Sequence, residues 1–84
     1  MGVSELSRLR WHCRRGMREL DLLFERFLDH AYADLAEEDR RRFTELLTHE
    51  DDTLFGWFYQ GEVPEDAELA RLVERIRENF GLSG

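Results

Sequence analysis

The stretch MRELDLLFERFLDHA, residues 17–31, decides the fold. Its apolar residues recur at intervals of three and four, which places them on one wide face of an α-helix. They are Leu20, Leu23, Phe24, Phe27, Leu28 and Ala31. Glu19 and Asp21 fall in the first turn, where the helix dipole favours acidic side chains. Because so wide an apolar face needs neighbours on several sides, the stretch predicts the central helix of a small bundle.

Four further helices are predicted around this one. The first begins with a cap at Ser4 and ends near Arg15, where Gly16 supplies a left-handed C-terminal residue. The third and fourth cover about residues 36–48 and 53–60, and the last begins at Pro64 and ends at Gly81. We therefore predict an all-α fold, a small five-helix bundle forming a single domain over residues 1–84.

Two details of these helices are also predicted. Trp57 and Phe58 are adjacent on a short helix, so we expect that they cannot both point fully inward and that one of them lies at the surface. Asp34 is expected to cap the third helix. The acidic cluster at residues 50–53 is expected to cap the fourth helix.

The charge of the chain limits its partners. There are 12 arginines and no lysines against 19 acidic residues, which gives a net charge of −7. Residues 1–18 hold five of the arginines and one acid, so a basic end precedes an acidic remainder. An acidic chain is repelled by phosphate backbones, which argues against nucleic-acid binding. Since no apolar run approaches the ~20 residues that span a bilayer, we expect a cytoplasmic protein without membrane insertion.

The sequence offers no catalytic or metal-binding pattern. Its single cysteine and three histidines lack the spacing of three or four that two ligands on one helix need, so we predict no metal site. Cys13 lies on the apolar stripe of the first helix and is predicted to be a small buried hydrophobic residue. There is no glycine-rich phosphate loop and no nucleophile with a paired base. We therefore predict that the protein is not an enzyme and has no catalytic residues.

The stretch Arg14–Glu19 allows two interpretations. It is either a simple helix junction, in which Arg15 and Glu19 form an ion pair four residues apart, or a patch that binds another protein. In the second case Gly16 lets a partner backbone approach closely, while arginine and glutamate supply directed charge. Arginine and tryptophan are also enriched among the residues that dominate protein interfaces.

Several blocks of sequence form a specific set: Trp11 and Cys13, Arg14–Asp21, Asp51-x-x-Leu54-Phe55-x-Trp57, and Pro64-x-Asp66-Ala67-Glu68-Leu69. With these blocks, the chain resembles the SdhE family of bacterial FAD assembly factors for succinate dehydrogenase. The hallmark Arg-Gly-x-x-Glu of that family is matched by residues 15–19. The chain departs from the family at Ala36, where members often carry a serine that caps the third helix.

The resemblance implies a partner and a surface. The implied partner is the flavoprotein subunit of succinate dehydrogenase, and we expect the flavoprotein subunit of fumarate reductase to be a second partner. The resemblance implies that the factor promotes covalent attachment of FAD to a histidine of the partner. Because the sequence offers no cradle for the FAD pyrophosphate, we expect that the factor itself does not bind free FAD tightly. The expected partner-binding residues are Arg8, Trp11, Arg14, Arg15, Gly16, Met17, Arg18 and Glu19. An alternative is an antitoxin-type module that neutralises a toxin, since a relative of the family has been described in that role.

Overall fold

The computed structural model describes residues 5–82, with side chains from Ser7 onward. Five α-helices and one short 3₁₀ turn follow one another, and no strand occurs within this range. They are α1 (Glu5–Cys13), α2 (Arg18–His30), the 3₁₀ turn (Tyr32–Asp34), α3 (Glu37–Leu46), α4 (Asp51–Tyr59) and α5 (Ala67–Phe80). The prediction of an all-α, five-helix fold is confirmed. The predicted cap at Ser4 lies outside the described residues.

Helix α2 occupies the centre, as its wide apolar face predicts. It contacts α1, α4 and α5, and α5 also contacts α3 and α4. The α2 residues of the predicted stripe are buried: Leu20, Leu23, Phe24, Phe27 and Leu28. Ala31, one residue beyond the helix, packs partly buried against the same core.

An aromatic cluster joins α2 to its neighbours. The ring of Phe24 meets Phe43 of α3 and Phe58 of α4 edge to face, with centroids 5.9 and 5.6 Å apart. Phe27 also packs against Phe43 in a tilted arrangement, with ring centroids 5.2 Å apart. Edge-to-face pairs at these separations stabilise a core beyond the area they bury. These contacts fix how α3 and α4 lie against the central helix.

The expectation that either Trp57 or Phe58 lies at the surface is wrong, because both are buried. Phe58 faces Phe24 in the core. Trp57 points in a different direction, but the loop between α3 and α4 covers it. The ring of His49 in that loop packs edge-on against the indole, with ring centroids 4.8 Å apart. Adjacent side chains on a helix can thus both be buried when a loop supplies the second wall.

Two predicted helix caps and one predicted helix start differ from the structure. Neither Asp34 nor the acidic cluster supplies a side-chain cap: α3 follows Ala36 and α4 follows Glu50, neither of which makes a side-chain capping bond. The last helix begins at Ala67 rather than Pro64. Its cap is Asp66, whose carboxylate accepts the backbone N–H groups of Glu68 and Leu69, at 2.8 and 3.3 Å. A proline side chain has no oxygen that could accept those bonds.

Within residues 5–82, none of the helices combines the length and the apolar character needed to cross a membrane.

Candidate protein-binding surface

The loop that joins α1 to α2 has a closely defined backbone. Helix α1 ends at Cys13, two residues before the predicted end, because the backbone N–H of Arg15 donates to the Asp21 carboxylate at 2.7 Å instead of continuing the helix. Gly16 has a φ of +82°, the left-handed conformation in which glycine alone is unstrained. Asp21, in the first turn of α2, therefore holds the loop in shape.

The side chain of Arg15 points into the molecule. Its guanidinium donates to the backbone carbonyls of Leu47 and His49, the second at 3.2 Å. It also pairs with the carboxylate of Asp51 at 3.5 Å. Only 15% of the Arg15 side chain is exposed. Arg15 thus connects the α1–α2 loop to the α3–α4 loop. Its guanidinium stabilises the fold of this chain and is largely covered from a partner.

Within residues 5–82, Arg15 and Glu19 do not form the ion pair that was considered from the sequence. A pair at i,i+4 requires both residues in one helix. Arg15 lies in the loop before α2, whereas Glu19 lies in its first turn.

Most of the other residues of the predicted surface are exposed to solvent. Met17 packs partly buried against the core and precedes the first residue of α2. The exposed members are Arg8, Trp11, Arg14, Gly16, Arg18 and Glu19. Trp11 is the most exposed large apolar side chain of the described residues, at 77%. Exposed tryptophan and arginine next to a rigid loop are typical of a protein-binding surface.

These residues divide over two sides of α2. Trp11 and Arg14 line a groove of about 430 Å³ between α1 and α2, opposite Asp21 and with Leu28 in its wall. Glu19 is two residues from Asp21, roughly 200° around the helix, and it lies on the α4 side. The loop with Gly16 at its tip stands between the two sides. Trp11, Arg14 and residues 15–19 therefore form a band around the start of α2 rather than a single cluster, and Arg8 lies about one turn before Trp11 on α1.

Two aromatic residues of α4, which were not predicted from the sequence to be part of the surface, extend this band. The hydroxyl of Tyr59 donates to the backbone carbonyl of Glu19 at 3.2 Å. Phe55 stacks on Tyr59, with ring centroids 5.0 Å apart and an interplanar angle of 27°. Burial and the charge of Glu19 raise the pKa of Tyr59, so its hydroxyl stays a donor at neutral pH. The spacing of four residues between Phe55 and Tyr59 was the feature of the sequence that could have indicated a shared aromatic face.

Cys13 is buried, as predicted, with 3% of its surface exposed. Burial raises the pKa of its thiol to about 12, against the opposing effect of Arg15 and Arg10. Since the thiolate is the reactive form, we expect iodoacetamide near neutral pH to leave the folded protein unmodified and to alkylate it fully in denaturant. Mass spectrometry measures this directly. Alkylation at equal rates in both states would contradict the burial of the thiol.

Among the residues that the structure describes, no three histidine, cysteine or acidic side chains come together in a way that could hold a metal ion. The band presents exposed arginines, a carboxylate, aromatic faces and a glycine with open space around its α-carbon.

Comparison with known proteins assigns this arrangement to a family. The family model described as the flavinator of succinate dehydrogenase matches residues 7–80. The chain belongs to this family. The match begins within α1 and covers the α1–α2 loop, the whole of α2 to α5 and both sides of the band.

Individual relatives are similar over most of their lengths. The chain is 51% identical to the "FAD assembly factor SdhE" of Shewanella oneidensis over 77 residues, which cover 92% of this chain and 94% of that protein. It is 52% identical to the protein of the same name from Pseudomonas aeruginosa over 73 residues, 87% of each chain. The one from Xylella fastidiosa is 49% identical over 74 residues, 88% of this chain and 76% of that protein.

Proposed function

We propose that this protein is an assembly factor that binds the flavoprotein subunit of succinate dehydrogenase and promotes covalent attachment of FAD to it. The observation that carries the proposal is the match of residues 7–80 to the flavinator family, together with about 50% identity to proteins named FAD assembly factor. We place this action in the bacterial cytoplasm, and the bacterial source of these relatives supports it. The fumarate reductase flavoprotein is a second proposed partner.

The protein acts in this proposal by binding and not by bond-making. Its only thiol is buried and its pKa is raised, so Cys13 supplies no thiolate at neutral pH. The histidine and the flavin carry out the attachment in the partner. An assembly factor that binds the attachment-competent conformer of the flavoprotein more tightly than other conformers raises its population. No tight binding of free FAD is needed for this.

Each part of the band has a role in docking. Gly16 lets a partner backbone come close, because there is open space where a β-carbon would stand. Glu19 supplies a carboxylate at the α4 side, and Trp11, Arg8, Arg14 and Arg18 supply apolar and cationic contacts at the α1 side. Arg15 and Met17 contribute by holding the loop, since both are largely covered by this chain itself.

A flavinylation assay tests the proposal. Apo-flavoprotein subunit is mixed with FAD and a dicarboxylate, with and without this protein, and covalent flavin is read by in-gel fluorescence. We expect the protein to speed the formation of the fluorescent band. Glu19→Ala is expected to lose most of this effect, because it removes the exposed carboxylate of the band.

Glu37→Ala is the matched control, since it also removes an exposed first-turn acid, but from α3. Equal rates with and without the protein, when the flavoprotein is competent, would refute the assembly role. Equal activity of Glu19→Ala and Glu37→Ala would refute the role of Glu19 alone.

A further inference from the structure

We propose that the outer face of α4, formed by Asp52, Phe55, Tyr59 and the overlying Glu62, is a docking surface for an arginine-bearing segment of the flavoprotein. This inference rests on the proposed function and extends its surface to a helix outside the Arg-Gly-x-x-Glu motif. We call these four residues the α4 face.

Spacing and contacts put these residues on one side of the helix. Asp52, Phe55 and Tyr59 are separated by three and four residues, which aligns them on one face of a helix. Glu62 follows the helix, and its backbone N–H donates to the carbonyl of Gly56 at 3.0 Å. Its carboxylate lies against the helix at Gly56, where a β-carbon would overlap it. Gly56 therefore makes room for an acidic group beside the aromatic pair.

The α4 face is continuous with the band around Gly16 and Glu19. The hydrogen bond from the Tyr59 hydroxyl to the Glu19 carbonyl joins the two helices at this point. A partner that reaches Glu19 from the α4 side therefore also meets the ring of Tyr59. The face is a part of the same surface and not a separate site.

Charge identifies what the face accepts. Residues 43–70 contain eight acidic residues and no arginine or lysine. Several of these acids serve the protein itself: Asp51 pairs with Arg15, Asp66 caps α5 and Glu68 pairs with Arg71. Asp52 and Glu62 are exposed and have no ion-pair partner within residues 5–82. Two unpaired carboxylates thus stand beside the stacked rings, and they attract a cationic segment.

The aromatic pair selects arginine among the cations. A guanidinium is planar, so it can stack on the face of a tyrosine or phenylalanine ring while it donates hydrogen bonds to carboxylates at the ring edge. The half-buried Phe55 and Tyr59 present such rings with Asp52 and Glu62 nearby. A compact lysine ammonium uses fewer of these contacts. The face therefore fits an arginine of the partner.

Binding to the apo-flavoprotein subunit, measured by isothermal titration calorimetry, tests the proposal. Tyr59→Leu keeps an apolar side chain but removes the ring, and we expect a loss of affinity of roughly three- to tenfold. Tyr59→Phe removes only the hydroxyl and keeps the ring, so it is expected to retain most of the affinity. Wild-type affinity for Tyr59→Leu would overturn the stacking role.

A second pair of variants tests the charge. Asp52→Asn is expected to weaken binding roughly two- to fivefold, and the difference from wild type is expected to shrink at high salt. Glu37→Gln removes a first-turn acid from α3 in the same way and serves as the control. An equal loss for both variants would overturn the proposal, because it would reflect net charge alone.

The binding measurements distinguish failure of the proposed function from failure of the α4 face alone. If the wild-type protein binds no flavoprotein at all, the proposed function falls and the α4 face falls with it. If the wild-type protein binds and Tyr59→Leu and Asp52→Asn bind equally well, only the α4 face is overturned. Circular dichroism of each variant establishes that the helices are intact.

Discussion

Replacement of Arg15 with alanine is expected to lower the free energy of unfolding by about 2–4 kcal/mol. The physical reason is the loss of charged hydrogen bonds to the carbonyls of Leu47 and His49, together with the ion pair to Asp51. The side chain is only 15% exposed, so water replaces these partners poorly. A domain of 84 residues is stable by roughly 4–12 kcal/mol, so the change removes a large share of the total.

Urea unfolding followed by circular dichroism measures this effect. Arg14→Ala is the matched control, because the neighbouring arginine is exposed, and we expect its unfolding free energy to change by no more than about 0.5 kcal/mol. Arg15→Lys keeps the charge but lacks the planar fork of donors, so we expect it to recover only part of the loss. An Arg15→Ala protein as stable as Arg14→Ala would show that the inward contacts of Arg15 contribute nothing.

Gly16→Arg is expected to slow flavinylation about thirtyfold or more while the helices remain folded. The open space around Gly16 lets an arginine fit within this chain, but the same side chain then occupies the volume that a partner backbone needs. The positive φ of this residue adds a strain of roughly 1–2 kcal/mol for any side chain, which the fold is expected to tolerate. The flavinylation assay and thermal unfolding together measure both effects.

Gly81→Arg separates the docking effect from the backbone strain. Gly81 has nearly the same φ, +85°, and the same open surroundings, but it lies at the end of α5. We expect a similar loss of stability and no loss of flavinylation. If the two variants slowed flavinylation equally, strain and not docking would explain Gly16→Arg.

The sequence predicted the helices best where burial is continuous along one face. In α2 and α5 the apolar spacing of three and four gives both the helix and its buried side, and the structure buries Leu69, Leu72, Val73 and Ile76 as that pattern implies. The boundaries were less predictable. Pro64 and Asp66 both suit a helix start, and only the completed hydrogen bonds of Asp66 decide between them.

The residues of the predicted surface also differ in how far the sequence alone could predict their structure. The left-handed glycine at position 16 follows from residue type, and the structure confirms its positive φ. Helical phase placed Trp11 off the apolar stripe of α1 but left open whether it packs or is exposed, and the structure exposes it. The role of Arg15 could not be predicted, because its partners lie more than thirty residues away along the chain. Whether these residues bind a partner stays a prediction until the assays above are made.

The sequence by itself determined the all-α class, the central helix and the buried cysteine, because each depends on the periodic alternation of apolar and polar residues within one segment. Its motif blocks also determined the family. Only the tertiary structure decided which way Arg15 points, how Trp57 and Phe58 are both covered, and that Tyr59 adjoins Glu19. These contacts join segments distant along the chain, so their geometry exists only after the helices have packed together.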